Sequence, residues 1–336
     1  MEVFYRYFSR YSDDFCRRIT KIVNGILGSG SASTGEISQH LALKNGSNFK
    51  AEDMFVYRFL SDKNFQIDDS FWRCHINMIF DFLKEKTGLK QNDNIQINVD
   101  YTTINDDFLI LSASINISDD KAIMLYFSSR NYPKRKNSMD YKKMEEAFFK
   151  ALKHILPKKY TYTIVADRGF GHLRIIELCE KMEFNFVLRI NENLIIQKGE
   201  EALNLRDFKG ENVVFEAYVV RWKKHLKFIV NTDKNSTWFL TSNLENADVS
   251  MMYSKRFKIE KCFQDIKSSG FDIEKTKIKK YDRMKRMLYL ISVSHAFSVF
   301  FGCFIKNCKK NFENHLDIAT VFLESGKQHF YTEPQE

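Results

Sequence analysis

At Asn94 the spacing of apolar residues changes from a helical period to a period of two, and that change restricts the fold more than any other feature of the chain. IQINVDY (Ile95 to Tyr101), FLILSASI (Phe108 to Ile115) and AIMLYFSS (Ala122 to Ser129) are three strand-like runs separated by short polar turns, which predicts an antiparallel meander. A helix over Met144 to Leu156, ended by Pro157, comes next. It is followed by a strand over Tyr160 to Ala166, a helix over His172 to Met182 and a strand over Phe184 to Ile190. Three antiparallel strands, then helix, strand, helix, strand, predict an α/β chain with a mixed five-stranded sheet flanked by helices. Asp100 closes the first strand and Asp167 the fourth, so with those strands adjacent the two carboxylates lie within a few ångströms of one another.

On either side of this core the pattern differs. Residues 1–90 read as helical: Phe15 to Ile26, a helix capped by Ser33 or Thr34 and running through Leu43, and a third over Ala51 to Asp62. The latter pair, with Tyr57 and Arg58 near its end, fits a helix-turn-helix that touches DNA, or a small bundle that only packs on its neighbour. Ser70 to Thr87 predicts a longer bridging helix. From Asn191 to about Asn246 only strand signals occur, which predicts an all-β insertion over residues 191–248 interrupting a core of 91–190 and 249–310. Residues 311–336 read as a terminal helix and tail.

Met287 to Ile305 is nineteen mostly apolar residues, long enough to raise the question of a membrane span. His295, three serines and Gly302 within it favour a buried helix lying on the sheet. Six cysteines form no CxxC pair and stand with no histidine cluster at zinc spacing, which predicts free thiols in a reducing cytoplasm. The opening MEVFYRYFSRYSDDF has no apolar run of a signal peptide. A net charge of +9 favours a polyanionic partner, and 44% hydrophobic residues exclude a disordered chain.

Met252 to Ser269, MYSKRFKIEKCFQDIKSS, carries the densest chemistry. Wound at 100° per residue, Tyr253, Arg256, Glu260 and Lys267 fall within about 60° of one another. Ile259, Cys262, Phe263 and Ile266 make an apolar stripe beside them, and Lys258, Lys261 and Asp265 face solvent. A surface helix needs only two stripes; a third with an aromatic, two cations and a carboxylate suits a metal ion held against a phosphate. Taken singly, Asp100 and Asp167 also read as turn formers, and Glu260 as a surface ion-pair partner of Arg256. Their joint arrangement is what favours catalysis.

The spacing Tyr253-x2-Arg256-x3-Glu260-x6-Lys267 resembles the Tyr-Arg-Glu-Lys signature of a group of bacterial insertion-sequence transposases in the Asp-Asp-Glu (DDE) superfamily. VDYTTIN around Asp100 and VADRGFG around Asp167 look like that family's two aspartate blocks, and Phe257 stands where the family often has tryptophan. The resemblance implies an RNase H-like core preceded by a helical DNA-binding domain. It implies that Asp100, Asp167 and Glu260 bind two Mg²⁺ or Mn²⁺ ions. Tyr253, Arg256 and Lys267 would meet the transposon-end backbone, with Arg168 beside Asp167. The implied reaction nicks the element's end and joins the 3′-OH to target double-stranded DNA, by way of a hairpin in some members. Trp222 and Trp238 are the candidates to stack a flipped base there, against a role as core aromatics. Pairing two ends implies a homodimer on DNA. A nuclease without strand transfer, and a DNA-binding relative without catalysis, are the competing readings.

Overall fold

The structure, a computed structural model, describes residues 6–118, 120–132, 138–234, 236–245 and 248–313. Four helices come first: α1 (Asp13–Ser29), α2 (Thr34–Asn45), α3 (Phe49–Ser61) and α4 (Asp69–Thr87). Side chains of Ser12, Asn48 and Asp68 accept backbone N–H groups at the starts of α1, α3 and α4, while Ser33 precedes α2 without such a bond. Buried Glu52 on α3 joins these pieces, taking Lys21 of α1 at 2.7 Å and the Ser47 hydroxyl of the α2–α3 turn at 2.7 Å.

The meander forms as the alternation predicts, as β1 (Asn94–Ile104), β2 (Phe108–Asn116) and β3 (Ala122–Asn131). Then come α5 (Ser138–Ile155), β4 (Thr161–Ala166), α6 (Leu173–Lys181) and β5 (Asn185–Arg189). β4 pairs parallel with both β1 and β5, so the first five strands lie in the order β3-β2-β1-β4-β5.

The expected five-stranded sheet is too small, and the β-rich stretch is not a separate unit. β6 (Ile195–Lys198), β7 (Glu201–Asn204), β8 (Val213–Val219), β9 (Lys224–Thr232) and β10 (Thr237–Ser242) extend the same sheet to ten strands, in the order β5-β10-β9-β8-β6-β7. The outer side of β5 would otherwise expose a row of unpaired N–H and C=O groups. β10 satisfies them antiparallel, Leu240 opposite Arg189 and Ser242 opposite Val187. Asp100 also does not close its strand: β1 continues to Ile104 through its pairing with β2, whereas pairing with β4 stops at Val99 opposite Ala166.

The chain then runs helical from Val249 to Ser269 with changes of winding: α7 (Val249–Ser254), a 3₁₀ turn (Lys255–Phe257), α8 (Lys258–Gln264) and a π turn (Asp265–Ser269). Gln96 of β1 ties this run to the sheet by donating to the Met252 carbonyl at 2.8 Å. α9 (Tyr281–Glu313) follows. From Arg286 to Val293 it is buried, with the Tyr289 hydroxyl on the Phe71 carbonyl at 3.1 Å and the Ser292 hydroxyl on the Met124 sulfur of β3 at 3.4 Å. By length and composition it is also long and apolar enough to cross a membrane.

Two compact units result, Met1–His295 and Ala296–Glu336; the described part of the second is the end of α9, with Phe301, Phe304 and Ile305 exposed. Most of the expected terminal helix and tail, residues 314–336, lies outside the described residues. Cys16, Cys74, Cys179 and Cys262 are buried free thiols, and Cys303 is buried.

Candidate active site

Parallel strands part where their pairing ends, and in open α/β sheets the crevice beyond those carboxyl ends is where ligands bind. Here the parting falls between Val99 and Ala166, and the next residue on each strand is an aspartate. Strand spacing sets Asp100 and Asp167 about 5 Å apart at the backbone. Asp100 accepts the Tyr101 N–H at 2.8 Å, and Asp167 caps a 3₁₀ turn by accepting the Gly169 N–H at 2.8 Å. That turn, Arg168–Phe170, packs against β5. A Cβ on Gly171 would stand 2.0 Å from the Arg189 carbonyl oxygen, so only glycine permits the approach. Phe170 stacks on Tyr101 with ring centroids 5.3 Å apart, locking the two aspartate-bearing segments together. The Tyr101 hydroxyl donates to buried Glu145, which Arg174 also engages.

The helical run brings its stripe to the same place, deeper than the wheel suggests. Tyr253 and Arg256 are 0% and 5% exposed. Arg256 donates from Nη1 to Asp100 Oδ2 at 3.0 Å and from Nη2 to Glu260 Oε1 at 2.8 Å, bridging two of the three acids. Glu260 has a side chain 52% exposed. Tyr253 packs edge-on against Trp238 of β10 at 5.2 Å, and burial pushes its hydroxyl pKa up against the pull of Arg256 and Arg189. Tyr253 and Arg256 thus lie inside the fold.

Other expected residues separate. Lys267, on the π turn, pairs with Glu274 at 3.6 Å. Arg168 is exposed on the turn after Asp167. Trp238 is half-buried beside Tyr253. Trp222 sits on a 3₁₀ turn at the start of β9, under the Arg221 guanidinium. Trp238 pairs with Asn231, seven residues along β9 from Lys224, which puts Trp222 about 24 Å away at the other end of the sheet. Asp265 does not face free solvent as the wheel predicts: Lys121 Nζ lies at 2.7 Å and the His295 ring at 3.3 Å. Two residues escaped the sequence reading. Arg189 ends β5 beside Tyr253, its signal being one more charged residue at a strand end, and Glu145 is the buried partner of Tyr101.

The donor chemistry suits a hard divalent cation, since all three acids offer carboxylate oxygens. As arranged, no three acidic, histidine or cysteine side chains among the described residues are grouped to hold a metal. Arg256 lies among them, donating to both Asp100 and Glu260. The ends of β1 and β4 set Asp100 and Asp167 side by side, while Glu260 is held on Arg256.

Burial, with Asp167 adding to it and Arg256 opposing, raises the Asp100 carboxyl to about 6. A carboxyl raised above its unfolded value of about 3.9 stabilises the fold while protonated; that contribution is full below about pH 4 and is lost as pH rises through about 6. Metal-free protein is therefore expected to lose about 1–2 kcal/mol of unfolding free energy from this group between pH 5 and 7.5. Asp100→Asn should remove that part of the slope. Urea titrations in EDTA at both pH values measure it, and equal slopes in the two proteins would refute the assignment.

Residues 136–297 match the family model described as transposase DDE domain, just under half of the chain. No curated protein matches the chain. The matched residues contain Asp167, Glu260 and Arg256, while Asp100 lies on the strand paired with β4 outside them. The match supports a DDE transposase domain in this chain.

Proposed function

We infer that the chain is a DNA transposase of the group with the Tyr-Arg-Glu-Lys signature, which cuts the ends of an insertion element and joins the freed 3′ hydroxyl to target DNA. What supports this reading most is the seating of Asp100 and Asp167 on adjacent parallel strands, with Arg256 reaching Asp100 from the helix that carries Glu260. Asp100, Asp167 and Glu260 would hold two divalent ions, Mg²⁺ or Mn²⁺, whose charge would favour the attacking oxygen and offset the negative charge on the leaving 3′ oxygen.

The chain's own residues do the positioning. Asp100 and Asp167 are fixed by backbone N–H groups and by the Tyr101–Phe170 stack. Glu260, half exposed on Arg256, would turn toward the aspartates to complete the set. That turn frees one edge of a planar guanidinium, a shape that suits a phosphate. Tyr253 holds Arg256 from behind, its ring 5.9 Å from the guanidinium carbon. Arg168 and Lys267 extend the positive charge along the DNA backbone. Trp238 is the candidate to stack an extruded base in a hairpin step. Two protomers, each with one end, would complete the assembly in a bacterial cytoplasm.

A pre-cut element end, supercoiled target DNA and Mg²⁺ test the reading. Joined products are expected. Cleavage of intact ends without joining would select a nuclease instead, and end binding with neither product would select a DNA-binding relative without catalysis.

A further inference from the structure

A second positively charged feature lies away from the three acids. The chain from Lys277 to Lys280 runs without helix or strand into α9, and with α2 and α3 it encloses a cleft of about 360 Å³. Its lining includes Lys277, Lys279, Lys280, Arg283 and Tyr57, with Asp53 the acid among them. A run of lysines is usually only a solvated face. This one differs in three respects.

Two of its four cations have no ion pair or ring contact among the described residues. Lys279 pairs with Asp107 at 2.8 Å, while Lys277 and Lys280 have no ion pair among the described residues. An aromatic is interleaved with them: the Arg283 guanidinium lies 4.2 Å over the ring of Tyr57, which is 51% exposed. The segment is also anchored at the end of the sheet where the acids sit. Asp107 belongs to the β1–β2 turn, and the Tyr281 hydroxyl bonds to Ser129 of β3. Ser129 pairs with Ile110, and Ile110 with Thr102, two residues beyond Asp100. Two strand spacings across and two residues along put Ser129, where Tyr281 is anchored, about 12 Å from Asp100, a few base pairs of duplex rise.

We propose that this cleft binds the phosphate backbone of the same duplex whose end lies at Asp100, Asp167 and Glu260, a few base pairs away and without reading sequence. Lys277 and Lys280 supply two phosphate contacts, and the Arg283–Tyr57 pair forms a stiff wall that fixes where the backbone passes. The inference rests on the reading that the chain acts on DNA, and it adds the place and chemistry of a contact outside the signature residues. α3 forms one wall of the cleft, so the N-terminal helices meet DNA beside the active site as well as at any sequence they read.

The test is the salt dependence of duplex binding by the full chain, measured by fluorescence anisotropy with a labelled 30-base-pair duplex. Each phosphate contact adds about 0.9 to the slope of log K against log salt. The double variant Lys277→Gln, Lys280→Gln is expected to lower that slope by about 1.8 for any duplex sequence. Lys158→Gln with Lys159→Gln removes the same charge at the start of β4, the opposite end of that strand from Asp167, and is expected to leave the slope as in the wild type. A Lys277, Lys280 variant with unchanged slope, or one matched by the control pair, overturns the cleft while leaving the DNA reading intact. A wild-type chain that binds duplex with no salt dependence overturns both.

Discussion

Asp100→Asn, Asp167→Asn and Glu260→Gln are each expected to reduce strand cleavage by on the order of 10³-fold or more while end binding persists. Phosphoryl transfer asks for positioning and charge neutralisation more than for covalent help from the protein. Each acid lost removes several kcal/mol of charge stabilisation, and about 1.36 kcal/mol is a factor of ten in rate. The three acids differ in surroundings, which makes equal losses informative. Asp100 has a side chain only 18% exposed, Asp167 caps a turn, and Glu260 is 52% exposed and paired with Arg256. A role in folding alone would rank them by burial, with Asp100 worst and Glu260 nearly silent. Metal binding would level them. Asp272→Asn is the control, since among the described residues Asp272 forms an ion pair only with Lys275 and asparagine tolerates its positive φ of 51°. Quantified nicking with Mg²⁺ on an end-bearing duplex decides it. Any of the three variants cutting within tenfold of the wild type would remove that residue from the site.

Why these acids were legible in the chain, and others were not, follows from what a sequence encodes locally. The first five strands and the helices between them announce themselves through period and turn residues, so Asp100 and Asp167 could be placed at strand ends, and side by side on the condition that the first and fourth strands are neighbours. Glu260 emerged because a helix repeats at a known angle. Pairing between distant strands has no such local mark. Arg189 and Leu240 are opposite one another across fifty intervening residues, so a stretch that reads only as strands becomes part of the main sheet. Direction is likewise hidden: the wheel grouped Tyr253 with Arg256 but could not say that the stripe turns inward. The 3₁₀ and π turns flanking α8 alter the winding. That is why Lys267 pairs with Glu274 and Asp265 meets Lys121 and His295, although a uniform helix predicts otherwise. Trp222 and Trp238 looked equivalent until the length of β9 separated them.

Arg256→Ala is expected to destabilise the metal-free protein by about 3–5 kcal/mol at pH 7.5, the usual cost of removing one partner from a buried ion pair. The guanidinium has a side chain 6% exposed and touches Asp100 and Glu260 at once. Without it Asp100 keeps its burial and its neighbours Asp167 and Glu260, all of which raise its carboxyl, and loses the cation that opposes them. Glu260 is affected least, because half of its side chain is in water. The same removal frees both acids for a cation, so a ligand that binds the folded state should recover part of the loss by mass action. Adding 10 mM Mg²⁺ is therefore expected to stabilise Arg256→Ala more than it stabilises the wild type, where the guanidinium competes for the carboxylates. Arg256→Lys should fall between them, since an ammonium keeps the charge but cannot span two carboxylates with a planar fork. Urea unfolding of the three proteins with EDTA and with Mg²⁺ measures each part. A loss below about 1 kcal/mol in EDTA would mean the pair behaves as a solvent-screened surface contact. An equal response to Mg²⁺ in wild type and Arg256→Ala would mean that Arg256 does not compete with metal for Asp100 and Glu260.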